Sequence, residues 1–501
     1  MGAEDSARAL RRWGLAAIAL TALCFLANAL LGPLNQDEGW YLLAARHVMA
    51  GDFPHRDFFF TQGPVMPFAY ALLGWLWSPF GVLGGRLLTA ALGFAAIAVA
   101  GGAVASCLRR EDERRTARLA LWVFLGLSLW FTYFTCIPKA YALCALGLAV
   151  ALRLIGAQGG AAAWRLAGAG LLLALLAGTR LSMGILLPVV GLWLLARRDW
   201  AGRLAWLWFG VGGAVGLAVV FGPWLLLWPG SFLEAQAFHA ARAPMGALGV
   251  LGCLARAVRF NPILTVACVL TAWLALTGKP SLRIPPRDRA PLPRLWLLCA
   301  VALAAVHLLA PVPYDDYLVP ALLPLAMVAA EAFARLPFDS LRAAFAKALV
   351  PAALALAVCG SPLAEAWVSN GQDRLWPRLK AEPDLLLLRR AAAEARAAAD
   401  RLGTDVLWTQ DAYLAVEAGL DVPRGLEMGP FSKPQPLDPA AAPLAAWSGY
   451  TYALRFPDLT PAPDRAERLA ALRAAYGRDL AVFPDFGQGH TTLTLAERTS
   501  P

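Results

Sequence analysis

Leu31-Gly32-Pro33-Leu34-Asn35-Gln36-Asp37-Glu38-Gly39-Trp40-Tyr41, residues 31–41, decides how this chain is read. A long apolar segment ends at Leu31, and an acidic pair follows within a few residues. Beyond it the loop carries His55-Arg56-Asp57, Phe58-Phe59-Phe60 and Thr61-Gln62-Gly63-Pro64. An acidic pair just outside a first membrane helix, in an aromatic-rich loop, is where an enzyme facing lipid would hold a catalytic carboxylate.

The whole composition agrees with a membrane setting. The chain has 501 residues, 59% hydrophobic and only 16% charged, whereas soluble domains carry about 25% charged residues. Runs long enough to cross the hydrocarbon, roughly 20 residues each, fall near 13–32, 86–107, 118–135, 140–156, 166–179, 181–196, 204–228, 261–278, 295–311, 317–334 and 346–362. The expected fold class is a polytopic α-helical membrane protein of about eleven spans. The first segment also offers a small-residue pattern, Ala27-Asn28-Ala29, but its length favours a retained span over a cleaved signal.

Basic residues set the orientation, because cytoplasmic loops retain positive charge. With the N-terminus inside, 21 Lys and Arg residues of 1–362 fall inside and 8 outside. The inside set includes Arg109, Arg110, Arg114, Arg115 and Arg118. This alternation holds only if residues 64–80 form an interfacial helix lying in the membrane surface, a depth that suits Trp75 and Trp77. The net charge of +10 is then a topology signal. No basic-aromatic pattern points to nucleic acid as a partner.

After about residue 363 the composition changes. Residues 363–501 hold 15 Lys and Arg against 18 Asp and Glu, with no run long enough to span. Helices are expected over Pro383–Leu402 and Ala466–Tyr476, and strands at Val406–Trp408 and Leu480–Phe483. The division is therefore a transmembrane domain, 1–362, with a first outer loop 33–85, and a small C-terminal α/β extramembrane domain, 363–501. An odd number of spans places that domain outside. The eight cysteines lie in or beside apolar segments, without metal-ligand spacing or a disulfide framework.

The acidic pair with Tyr41 three residues beyond Glu38 resembles the first-loop motif of the GT-C superfamily. These are lipid-phosphate-dependent integral-membrane glycosyltransferases, among them protein O-mannosyltransferases and the aminoarabinose transferases that modify lipid A. The resemblance extends through Arg86 to Gly178-Thr179-Arg180 and Tyr317-Leu318-Val319-Pro320, covering most of residues 13–340. Each motif alone is weak, and their order along the chain is more specific. The resemblance implies a polyprenyl-phosphate-linked sugar as donor, inversion at the anomeric carbon, and a lipid, glycan or protein acceptor. It also implies the outer face of a bacterial-type inner membrane, with membrane lipids as further partners. No cofactor is implied, and a divalent metal stays open.

Such chemistry needs a carboxylate to take the acceptor proton and cations where charge develops on the leaving phosphate. Asp37 is the first choice as base, with Glu38 beside it in the catalytic set. Both acids would equally suit the N-terminus of a surface helix over 38–50. Arg86, Lys139 and Arg180, at the outer ends of helices, are expected on the phosphate, or else as interface anchors. Tyr41, Asp316 and Tyr317 complete the expected substrate contacts, Asp316 reaching sugar hydroxyls unless Asp315-Asp316 is only a solvated loop. His47, His55 and His307 have no second ligand at metal spacing, so no metal site is assigned.

The chain departs from the family twice. Gln62-Gly63-Pro64 stands where relatives carry a basic residue or His before Pro-Pro, and Ile137-Pro138-Lys139-Ala140-Tyr141 stands where many place a second acid. The first departs at the loop where relatives have a phosphate contact, so none is expected from it here; the second implies a different donor or acceptor preference. A lipid-linked-sugar transporter or flippase is the alternative; it would favour paired broken helices and midplane charges, and the charges here sit at the membrane edge.

Overall fold

Long runs of Ala, Leu and Val make the helices, and charged residues fall at their ends. The computed structural model describes residues 3–156, 162–197, 199, 202–240, 244, 246–277, 291–311, 314–335, 368–369, 378–379, 382–432, 440, 442–449, 454–455, 460–461, 465–487 and 491–498. Among them, Leu10–Leu31, Gly74–Ser106, Ala205–Leu227 and Asp316–Ala334 are long and apolar enough to cross a membrane. A fifth span results if Ala247–Phe260 and Pro262–Trp273, bent by 98°, count as one. Shorter apolar helices, Ala140–Gly156, Ala163–Thr179, Leu181–Ala196 and Leu292–Leu308, accompany them. At 1.5 Å per residue a 17-residue helix reaches about 25 Å, slightly less than the hydrocarbon thickness. The protein is an integral membrane protein. The run expected to span at 346–362 lies outside the described residues.

The helices pack in a chain of neighbours. Gly81–Ser106 lies against Ala140–Gly156, which lies against Ala163–Thr179, which lies against Ala205–Leu227; Leu292–Leu308 pairs with Val319–Ala334. One expected span is corrected. Residues 118–135 do not form a single helix: Glu111–Leu121 passes into a π turn at Trp122–Gly126, and a new helix starts at Leu129–Phe134. At the restart Ser128 Oγ accepts the Phe131 N–H and donates to Asn261 Oδ1 at 2.8 Å, which ties this point to a distant segment.

The first loop differs from expectation in two further respects. Its helix runs over Gln36–Ala50, and Gln36 and Glu38–Ala45 are buried, so it is not a surface helix. The apolar stretch 64–80 breaks at Leu73 into Val65–Leu72 and Gly74–Trp77, followed by a 3-10 turn at Ser78–Phe80 that leads into Gly81–Ser106. Trp75 is 73% exposed. Trp77 is 1% exposed and instead donates its indole N–H to the Tyr70 carbonyl at 2.8 Å.

Beyond the membrane helices the chain forms a four-stranded mixed sheet in the order Leu407–Trp408, Leu444–Ser448, Thr491–Glu497, Arg478–Phe486. The first pair is parallel and the other two antiparallel. Helices Asp384–Leu402 and Arg465–Ala475 lie close to where the sequence places them. The short helix Ala412–Ala418 has no strong periodic signal. It packs against the first-loop helix and, together with Val65–Leu72 and Gly81–Ser106, covers Gln36 and Glu38–Ala45. Gly39 makes it possible: a Cβ there would lie 2.1 Å from the Tyr413 backbone nitrogen.

Candidate active site

Asn35 begins the site. Its side chain caps the first-loop helix by accepting the Asp37 N–H at 3.1 Å, while the Glu38 carboxylate accepts the Asn35 N–H at 2.9 Å, closing a capping box. The two adjacent acids thereby take different directions. Glu38 turns inward and meets Arg86, whose Nε and Nη2 donate to its two oxygens at 2.6 and 2.7 Å. Arg86 Nη1 donates to the carbonyls of Ala29 and Gly32, and Nη2 also to that of Pro33.

These bonds use all five N–H donors of the guanidinium, and both side chains are completely buried. Glu38, expected in the catalytic set, and Arg86, expected on a phosphate, are here bonded to each other. The pair ties the end of the first helix to the first loop and to Gly81–Ser106. A buried pair of this kind persists because each charge has a full set of partners.

Asp37 points the other way and keeps 16% side-chain exposure. Its Oδ2 lies 2.6 Å from Lys139 Nζ, and Lys139 also bonds the Asp316 carboxylate. Tyr141 donates its hydroxyl to Asp316 Oδ2 at 2.8 Å. Lys139 is therefore engaged by two carboxylates, so the contact expected with a phosphate is left with at most one N–H.

Arg180 is held differently. Its guanidinium lies 4.9 Å from the Tyr141 ring centroid and 4.4 Å from that of Tyr317. Its Nε is 3.4 Å from His307 Nε2, a nitrogen that Ser182 Oγ also approaches at 2.7 Å. Among the described residues no carboxylate lies within ion-pair distance of Arg180. It is the one cation of this cluster held by aromatic faces rather than by an acid, which leaves it available to an incoming anion.

The chain geometry behind Arg180 is local. It follows the helix Ala163–Thr179 as its C-cap, and the helix end touches the first loop. A Cβ on Gly63 would lie 2.1 Å from the Gly178 carbonyl oxygen, so only glycine at 63 allows this approach. Tyr41 is buried and meets Phe60 edge-on at 6.0 Å. Burial, reinforced by the Asp37 charge, pushes its phenol well above the usual tyrosine range, so it stays a neutral hydroxyl.

Of the expected residues, then, Asp37, Tyr41, Lys139, Arg180, Asp316 and Tyr317 come together at one end of the helices, and Glu38 and Arg86 pair beside them. Tyr141, Ser182 and His307 join the cluster without having been singled out. An ionisable residue in an apolar run is the signal His307 did carry. Among the described residues no group of three or more His, Cys, Asp and Glu could hold a metal ion.

No protein-family model matches the chain, and no curated protein matches it. Solved structures do. The chain is similar to ArnT from Cupriavidus metallidurans bound to undecaprenyl phosphate, with a TM-score of 0.59 and 14% identity over 96% of this chain and 98% of that one. The apo state of the same protein gives 0.59 and 16%, over 97% and 98%. The archaeal oligosaccharyltransferase AglB from Archaeoglobus fulgidus, in complex with an inhibitory peptide and a dolichol-phosphate, gives 0.52 and 12% over 96% and 74%. At such identities the likeness is one of fold alone.

Proposed function

We propose that this protein is a membrane glycosyltransferase that moves a sugar from a polyprenyl-phosphate donor to an acceptor hydroxyl, inverting the anomeric centre. The observation that carries the reading is the placement of one accessible carboxylate, Asp37, beside a cluster that includes an uncommitted guanidinium, Arg180. The fold shared with a protein solved with undecaprenyl phosphate and another solved with dolichol-phosphate supports the choice of donor. The site lies on the outer face of a bacterial-type inner membrane. The N-terminus is cytoplasmic, and residues 363–501 form an outer domain on the transmembrane domain 1–362.

Each residue has a task in this chemistry. Asp37 accepts the proton of the acceptor hydroxyl as its oxygen attacks the anomeric carbon. The bond to the phosphate oxygen breaks at the same time, and the polyprenyl phosphate leaves with its negative charge matched by Arg180. Lys139 holds Asp37 and Asp316 in place, and Asp316 with Tyr317 lies where sugar hydroxyls would bind. Tyr41 donates its neutral hydroxyl.

The test is transfer in vitro from a synthetic undecaprenyl-phosphate sugar series. Asp37→Asn keeps the shape but cannot take the proton, and is expected to lower turnover on the order of 10²–10⁴-fold while eluting as a folded protein. Arg180→Ala is expected to raise the donor KM at least tenfold. Near-wild-type turnover of Asp37→Asn would remove Asp37 as the base.

A further inference from the structure

The segment just before Asp37 is held from outside the membrane domain. Gln36 Nε2 donates to Asp411 Oδ1 at 2.9 Å and to the Tyr413 hydroxyl oxygen at 3.2 Å, and Tyr413 in turn donates to the same Asp411 oxygen at 2.9 Å. Two residues earlier, the Leu34 N–H donates to Asp384 Oδ2 at 3.0 Å. Asp411 is completely buried, as is Tyr413, and Asp384 is 3% exposed. A buried carboxylate is costly to keep without a partner that needs it.

Asp411 stands at the N-cap of Ala412–Ala418, where an Asp side chain ordinarily caps its own helix, yet it makes no such bond. Its carboxylate is turned to Gln36 instead. At the far end of the same first-loop helix, Arg46 Nη1 donates to the carbonyls of Ala415 and Leu420, and Nη2 pairs with Asp421. The C-terminal domain thus grips the first-loop helix at both ends, and Gly39 lets the two backbones meet between them.

We infer that Asp411, with Tyr413 and Asp384, is a positioning residue for Asp37, so that the C-terminal domain sets the place of the proposed base and is not only a cover over it. This rests on the reading of Asp37 as base. Asp37 is bonded to Gln36 through one peptide unit, so a shift of Gln36 moves it directly, and a misplacement of about 1 Å at a reacting group costs up to about 100-fold in rate.

The experiment uses the full-length protein in lipid nanodiscs. Asp411→Ala and Gln36→Leu are expected to lower kcat about 10- to 100-fold with the donor KM unchanged, and to speed amide hydrogen exchange over residues 34–42. Asp411→Asn, whose Oδ1 can still accept both bonds, is expected to recover most of the rate. A role in folding alone would instead raise exchange across residues 384–418 and would not separate kcat from KM; that pattern overturns the inference. So does unchanged kcat and exchange in both disruptive variants. Gln36→Leu leaves the C-terminal domain's own residues intact and decides the matter if Asp411→Ala does not fold. Local exchange over 34–42 reads the anchoring without any substrate. Faster exchange there, in a protein that transfers no polyprenyl-phosphate sugar, would uphold the anchoring and sink the proposed activity.

Discussion

Lys139 Nζ lies 2.6 Å from Asp37 Oδ2 and bonds Asp316 as well, so one ammonium joins the first loop to the segment that opens the helix Val319–Ala334. The three charges sum to −1, and the ammonium is what keeps two carboxylates together in a poorly solvated place.

Lys139→Ala is therefore expected to destabilise the protein by about 3–5 kcal/mol, the usual cost of removing one partner from a buried ion pair, and to abolish transfer. Adding Asp316→Asn removes one of the two stranded carboxylates and should restore much of the stability without restoring activity. Thermal unfolding of the purified variants checks this; a Lys139→Ala protein as stable as wild type would mean the cluster is solvated.

Arg86 and Arg180 should fail in different ways. Arg86→Ala strands the buried Glu38 carboxylate and is expected to lower stability by about 3–5 kcal/mol, with any folded fraction keeping the wild-type donor KM. If Arg86→Ala folded normally and bound donor poorly, the closed pairing with Glu38 would be the wrong account of this residue.

The first loop should be sensitive to acid. His55 is buried against Phe60, Trp224 and Phe232, and burial holds its imidazole down at about 4. In the unfolded chain the ring takes a proton near 6.5. The unfolded state then binds more protons between these values, so stability rises with pH through that window and is lost as pH falls from about 6.5 towards 4. The effect is at most a few kcal/mol. His55→Asn, which tolerates the left-handed backbone at this position (φ 65°), should flatten the slope in denaturation at pH 4.5, 5.5 and 7. An unchanged slope would assign the acid sensitivity elsewhere.

Topology can be tested at two exposed sites. Asp405 has 83% side-chain exposure and Arg110 63%, so cysteines placed there, after the native ones are replaced, can meet a membrane-impermeant thiol reagent in intact cells. Labelling at 405 and not at 110 is the expected result. The reverse pattern would put the C-terminal domain and Asp37 in the cytoplasm.

Much of this architecture is legible along the chain. Apolar runs and flanking Arg residues mark the helices because burial in hydrocarbon depends on local composition, and the charge balance after residue 363 marks the end of such runs. Asp37 can be picked out from its place beyond the first apolar segment, and Arg180 from its place at the end of another. The short helix Ala412–Ala418 and the break at Trp122–Gly126 cannot, because each is set by contacts with distant segments: the first-loop helix in one case, Asn261 in the other.

What the residues in order could not decide is which of two adjacent acids stays accessible. Asp37 and Glu38 are alike in sequence. One meets Lys139 and keeps access to the site, and the other is sealed against Arg86. The same holds for the three outer cations: Arg86 is consumed by Glu38, Lys139 is shared between two carboxylates, and Arg180, over two aromatic rings, has no carboxylate within ion-pair distance among the described residues. A side chain's position along a helix follows from sequence, since periodicity is a local property. Its partner depends on which remote segments come within about 3 Å of it, because hydrogen bonds and buried ion pairs act only at that range, and only the packed tertiary structure brings those segments there.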